Sequence, residues 1–194
     1  INNNQIYMIP IDSLRDVLAA NPWTTNVEAS INLKGVLDVD IEECNPVMRV
    51  YNINNKSIYI DKDGGIYPEN RNYTPHLLIA SGHAKFPVDK LGNVNDSVYA
   101  DTDLPELYEI MMSVLSDDYA RNCVKQVYVD RNKNYIFSLN NTDIFVIFGD
   151  GNNADDKLFK MRHFLKKMLG NPEIDNYTSI NLNFSNQVVC TKKK

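Results

Sequence analysis

From Val27 onward, apolar and polar side chains alternate. Val27, Ala29, Ile31 and Leu33 hold one set of alternate positions; after Lys34-Gly35, Leu37, Val39 and Ile41 do the same, with Asp38, Asp40 and Glu42 between them. A period of two is that of a half-buried strand, so the pattern predicts a hairpin with one wet face. Ahead of it, Leu14, Val17 and Leu18 recur at i, i+3 and i+4. They predict a short helix, capped by Asp12 or Ser13 and packed on the hairpin. Asn21-Pro22 ends that helix, because the residue before a proline is pushed out of the helical region. The helix–strand–strand unit is expected to span residues 1–46, closing at Asn45-Pro46.

Residues 47–194 read as a second, larger domain. Short β runs at 47–53, 57–61 and 65–67 are separated by Asn54-Asn55 and by Asp63-Gly64, a strong hairpin signal. A polar loop with two prolines follows at 68–76, then a short apolar run at 77–80 and a long loop at 87–103 rich in Asp, Asn and Gly. Pro105 suits the first turn of a helix whose apolar stripe is Leu107, Ile110, Met111, Val114 and Leu115. Runs at 124–130, 135–139 and 144–148 predict a three-stranded meander with Asn-rich turns. A late helix over 154–169 turns Leu158, Met161, Phe164, Leu165, Met168 and Leu169 inward, with Gly170 as its terminating residue and Pro172 just beyond. One last strand is expected at 177–190, with Ile180, Leu182 and Phe184 on one face. The expected class is α+β: a small helix-plus-hairpin unit, then a mixed, mainly antiparallel sheet with helices packed on it.

Composition narrows the function. A hydrophobic content of 43% and an aromatic content of 10% suffice for a core. A net charge of −5 argues against nucleic acid, which needs a basic face to neutralise phosphates. No apolar run reaches the length of a membrane span. Ile1 is not an initiator methionine, so the numbering is expected to begin inside a longer protein, and no signal peptide is visible. Cys44, Cys123 and Cys190 are too few and too scattered for a disulfide framework or a metal-ligand spacing.

No catalytic constellation emerges. Asp61-Lys-Asp63-Gly64 places its glycine at position 4, where a calcium loop needs it at position 6, so a hairpin turn is the better reading. Gly149-Asp-Gly151 lacks the Gly-Lys-Ser/Thr ending of a phosphate loop. His163 on the late helix has no second histidine at i+4 and reads as a solvent-edge or interface residue. No nucleophile elbow is present, and no cofactor or metal is expected. The polar last strand, by contrast, predicts a sheet edge, whose unpaired N–H and C=O groups can accept a strand from a partner.

Three segments resemble one family. The first is Leu18-Ala-Ala-Asn-Pro-Trp23 with the hairpin and Asn45-Pro-Val-Met-Arg-Val50; the second is Ile58-Tyr-Ile-Asp-Lys-Asp-Gly64 through Pro68. The third is Phe148-Gly-Asp-Gly151, the late helix from Lys157, and the strand from Tyr177 to Val189. In this order they resemble the bacterial cell-division protein family FtsQ/DivIB in its Bacteroidetes form, as a truncated POTRA domain followed by the family's β domain. Asn181 stands where the family carries aspartate, the 85–104 segment is longer than usual, and a lysine tail replaces the family's C-terminal extension.

The resemblance implies a non-enzymatic divisome scaffold on the periplasmic face of the inner membrane, anchored by a segment that this sequence does not include. It implies that partners of the FtsB/FtsL coiled-coil type add a strand to the last β strand. The positions carried over are Ile180, Leu182, Phe184, Asn186, Val188 and Cys190. Strict alternation leaves open whether Phe184 faces the partner or the core, since it shares a face with Ile180 and Leu182. Two alternatives remain at this level: another POTRA-bearing envelope assembly or secretion protein, and an envelope hydrolase.

Overall fold

A computed structural model of the chain describes residues 10–70, 75–140, 142–168, 171–185 and 187–193. By their contacts these residues divide into two compact units, with the boundary between Asn45 and Pro46.

The first unit holds α1 (Ile11–Ala19), β1 (Thr24–Ile31) and β2 (Leu37–Glu43). α1 starts earlier than Asp12 or Ser13 would set it. Pro10 occupies the N-cap and no side chain caps the helix; Asp12 instead pairs with Arg15 at 3.2 Å. A proline there leaves no N–H to satisfy and brings a φ of −73° that already suits a helix. β1 and β2 pair antiparallel in the register Val27–Ile41, Ala29–Val39 and Ile31–Leu37. Their turn is closed by the Asn32 side-chain oxygen, which accepts from the N–H groups of Lys34 and Val36. Only Val27 and Cys44 are buried apolar side chains among the described residues of this unit, and α1 buries none.

The second unit is built on one ten-stranded sheet. Its strands are β3 (Pro46–Tyr51), β4 (Ser57–Asp61), β5 (Gly65–Pro68), β6 (Leu78–Gly82), β7 (Gly92–Asn93), β8 (Val124–Val129), β9 (Tyr135–Leu139), β10 (Phe145–Gly149), β11 (Tyr177–Asn181) and β12 (Val189–Lys192). The order across the sheet is β12-β11-β10-β9-β8-β6-β3-β4-β5-β7. Pairings β3–β6, β6–β8 and β10–β11 are parallel and the other six antiparallel, so the sheet is mixed and mainly antiparallel. Three helices accompany it: α2 (Leu104–Ser116), α3 (Asp118–Cys123) and α4 (Ala154–Met168).

The core lies between these helices and one face of the sheet. Leu107, Ile110 and Met111 of α2 and Leu158, Met161 and Leu165 of α4 bury against Val127, Phe137, Val146 and Phe148. Phe137 and Phe148 stack with centroids 4.6 Å apart. The alternate positions Tyr128, Ile136, Phe145 and Ile147 line a shallow apolar depression on the face away from this core. On β3 and β4 the Arg49 guanidinium lies over the rings of Tyr51 and Tyr59 and donates to Ser57 and Glu69.

Two further expectations need correction. The single strand over 177–190 is two strands, β11 and β12, joined by a reversal at 182–188. Leu182 is the last residue to follow β10: its side chain is fully buried and its N–H donates to the Ile147 carbonyl at 3.0 Å, the closing rung of the parallel ladder, and the chain turns back after it. The 87–103 segment is not loop throughout, because it carries β7 and buries Val94 and Tyr99. α3 had no expectation at all. It is too short to show a period, and its signal was the Asp117 carboxylate, which accepts from the N–H groups of Tyr119 and Ala120. The terminating role expected of Gly170 and the inward turn expected of Leu169 fall outside the described residues.

Candidate interaction edge

β12 is terminal in the sheet, so the outer side of its ladder has no strand partner among the described residues. The opposite edge is β7, only two residues long. A strand that short offers little to a newcomer, whereas β12 presents four residues.

What places β12 at the edge is the 182–188 reversal, and that reversal is held from three sides. Leu182 N–H bonds to Ile147 on β10. Asn183 packs over Gly149, whose φ of +81° lets the strand turn toward α4. Lys160 reaches across from α4 and donates to the carbonyls of Leu182 at 3.2 Å and Phe184 at 3.1 Å, while pairing with Asp156 at 3.0 Å. The register then runs Asn181–Val189, Ile180–Cys190, Ser179–Thr191 and Tyr177–Lys192.

The six residues singled out by sequence separate under this geometry. Ile180 and Leu182 are fully buried and serve the core. Phe184 sits in the reversal with 45% of its surface exposed, clear of the Ile180–Leu182 face because the strand has already ended. Val188 and Cys190 are half-buried and pack against the edge of the core. Burial pushes the Cys190 thiol above its usual range. Asn186 lies outside the described residues.

Beside the reversal a cleft of about 450 Å³ opens between α4 and residues 187–188, walled by Phe159, His163, Phe164 and Val188 with Lys160 and Lys167 at its rim. Phe159 and His163 stack with ring centroids 6.3 Å apart. Phe159, His163 and Lys167 fall at i, i+4 and i+8, one stripe along α4. Sequence reasoning passed over this stripe because it looked outward from Leu158, Met161 and Leu165 and so read as a solvated face.

Groups elsewhere are structural. Buried Asp103 accepts from the Lys85 N–H at 2.8 Å and pairs with Lys133 at 2.6 Å. Lys157, almost wholly buried, is held by the Asp150 carboxylate at 2.7 Å and its carbonyl at 2.9 Å, over the ring of Phe148. Burial, then the nearby Glu106 carboxylate, pushes the Tyr135 hydroxyl far above its ordinary value. Among the described residues no group of three or more His, Cys, Asp or Glu could hold a metal ion. None of their helices is long and apolar enough to cross a membrane.

The family model described as FtsQ/DivIB, C-terminal related, matches residues 45–191. That span coincides closely with the second unit. No curated protein matches the chain.

Proposed function

The chain belongs to the FtsQ/DivIB C-terminal related family, whose role is in cell division, and we propose that it is a non-enzymatic scaffold that engages its partners through β12. The observation that supports this reading is an accessible terminal strand whose approach is fixed by Lys160 and Gly149. A partner strand adding there would gain main-chain hydrogen bonds along β12, with Phe184 and Val188 supplying side-chain contacts. The partners are division proteins of the FtsB/FtsL type. In this reading the first unit is a POTRA-type domain missing its opening elements, and the whole fragment faces the periplasm, held at the membrane by a segment outside this sequence.

Charge fits a division of labour between the units. Residues 1–45 carry seven carboxylates and two basic side chains, whereas residues 46–194 carry eighteen of each. The net charge of the chain therefore resides in the first unit, and the β domain meets its partner without a long-range field of one sign.

The test is calorimetric titration of this fragment with the extracytoplasmic segment of the same organism's FtsB-like protein. Cys190→Pro and Thr191→Pro are compared with wild type. Successive N–H groups of an edge strand point alternately inward and outward, so one of the two prolines removes an outward donor while sparing the pairing to β11. Binding that this proline abolishes, in a variant with wild-type circular dichroism, supports the reading. Wild-type affinity in both variants refutes it.

A further inference from the structure

We infer, building on that reading, that the cleft between α4 and Val188 is a second subsite of the same interface. It takes one aliphatic or aromatic side chain, flanked by carboxylates, from residues of the partner just beyond its added strand. Three observations carry this. First, the cleft is continuous with the edge: Val188 forms its wall and Val189 begins β12. A strand lying antiparallel on β12 leaves the ladder at Val189, and its next residues pass over Val188 into the cleft.

Second, the cleft is built of apolar surface that the fold does not itself cover. Phe159 is 54% exposed on a helix that otherwise hides its large apolar side chains or keeps them half-buried. Its ring lies nearly parallel to that of His163, at 14°, giving a flat wall opposite Val188.

Third, the rim selects for acid. Asp156 is the one carboxylate lining the cleft, and Lys160 already pairs with it. Lys167, also on the rim, has no carboxylate partner among the described residues. Lys192, at the far end of β12, is not part of this balance, because Glu173 and Asp175 lie in the turn that leads into Tyr177, its neighbour across the ladder. An incoming carboxylate next to the anchoring side chain therefore meets an unopposed ammonium.

The experiment uses the full fragment and the FtsB-like segment as probe, with Phe159→Ser, Phe159→Leu and Lys167→Glu set beside the two β12 prolines. Phe159→Ser is expected to weaken binding about tenfold, the loss of one buried apolar contact, and Phe159→Leu to restore most of it. Lys167→Glu is expected to weaken it about fivefold at low ionic strength and less in salt. The His163 ring resonances should shift on binding wild-type partner and stay in place with a partner peptide cut at the end of its strand. Wild-type affinity in Phe159→Ser and Lys167→Glu, with binding still abolished by a β12 proline, overturns the cleft and leaves the edge. Absence of any proline effect overturns both.

Discussion

The side chain of Asn183 occupies the space in which any residue other than glycine at position 149 would carry its Cβ. This pairing fixes how the chain crosses the top of β10. It makes the strand-ending glycine and the start of the 182–188 reversal one packing unit.

Gly149→Ala should therefore cost more than the usual penalty for a side chain at positive φ. We expect a loss of about 2–3 kcal/mol in urea unfolding, combining backbone strain with displacement of Asn183. The double variant with Asn183→Gly should recover part of it. Full additivity in the double-mutant cycle would mean the two residues are not coupled.

Lys160→Met keeps the aliphatic stem and removes the ammonium that holds two carbonyls. Stability should fall by only about 1 kcal/mol, since water can satisfy the released carbonyls. Amide exchange at 183–189 should accelerate, while β8 to β10 stay protected. Uniform acceleration across the sheet would assign Lys160 a global role instead.

Phe184→Asp should leave the fold intact and weaken the FtsB-like segment about tenfold or more, because its ring is already half in solvent. Val188→Asp should weaken binding too, at an added cost in stability, because Val188 packs on the core edge. Wild-type affinity in both variants would remove residues 184–188 from the interface.

Acid stability should respond to Asp150. The hydrogen bond from Lys157, then that from Asn152, holds its carboxyl below its ordinary value of 3.8. A folded-state pKa below the unfolded one means that the unfolded chain binds the proton first. The stabilisation is thus complete above pH 3.8 and lost as pH falls through the lowered folded value. The Asp150 side chain is more than half exposed, so the direct effect is small. Asp150→Ala has a larger consequence, leaving the buried Lys157 ammonium with a carbonyl alone, and should cost about 1–3 kcal/mol at neutral pH. Thermal unfolding from pH 2 to 7 reads both.

Cys44, Cys123 and Cys190 form no disulfide with one another. Cys44 is buried, and burial followed by the Asp117 charge pushes Cys123 up to about 11. Labelling with a disulfide reagent at pH 8 should be slow in the native fragment and fast in denaturant. Rapid native labelling of Cys190 alone would indicate that β12 detaches from β11.

Much of the fold was legible because its strands keep their period. The 135–139 strand matches β9, and the late helix was placed at Ala154 because its apolar stripe is long and its first turn acidic. The end of the chain was not, because alternation continues through Leu182 and Phe184 after the strand has stopped. What holds the turn that follows is a lysine from α4 and the close approach of Asn183 to Gly149, neither of which leaves a mark in local sequence. The edge itself was readable from the polarity of the last segment; the cleft next to it was not, because Phe159 on a charged helix looks like an ordinary surface residue.

β6 has a position that bears on how the sheet assembles. Strands β3 to β5 form one local meander and β8 to β10 another, each from neighbours in sequence. β6 lies between them and pairs in parallel with both, Met48–Leu78 on one side and Ala80–Val127 on the other. Each meander can zip up by short loop closures, while β6 must join segments far apart in the chain, the slow kind of contact. β6 is thus one of the splices expected to slow folding of the β domain, alongside the parallel β10–β11 pairing that closes across α4. Ala80, fully buried at the centre of β6, is where a substitution would change the speed of folding rather than only its end point.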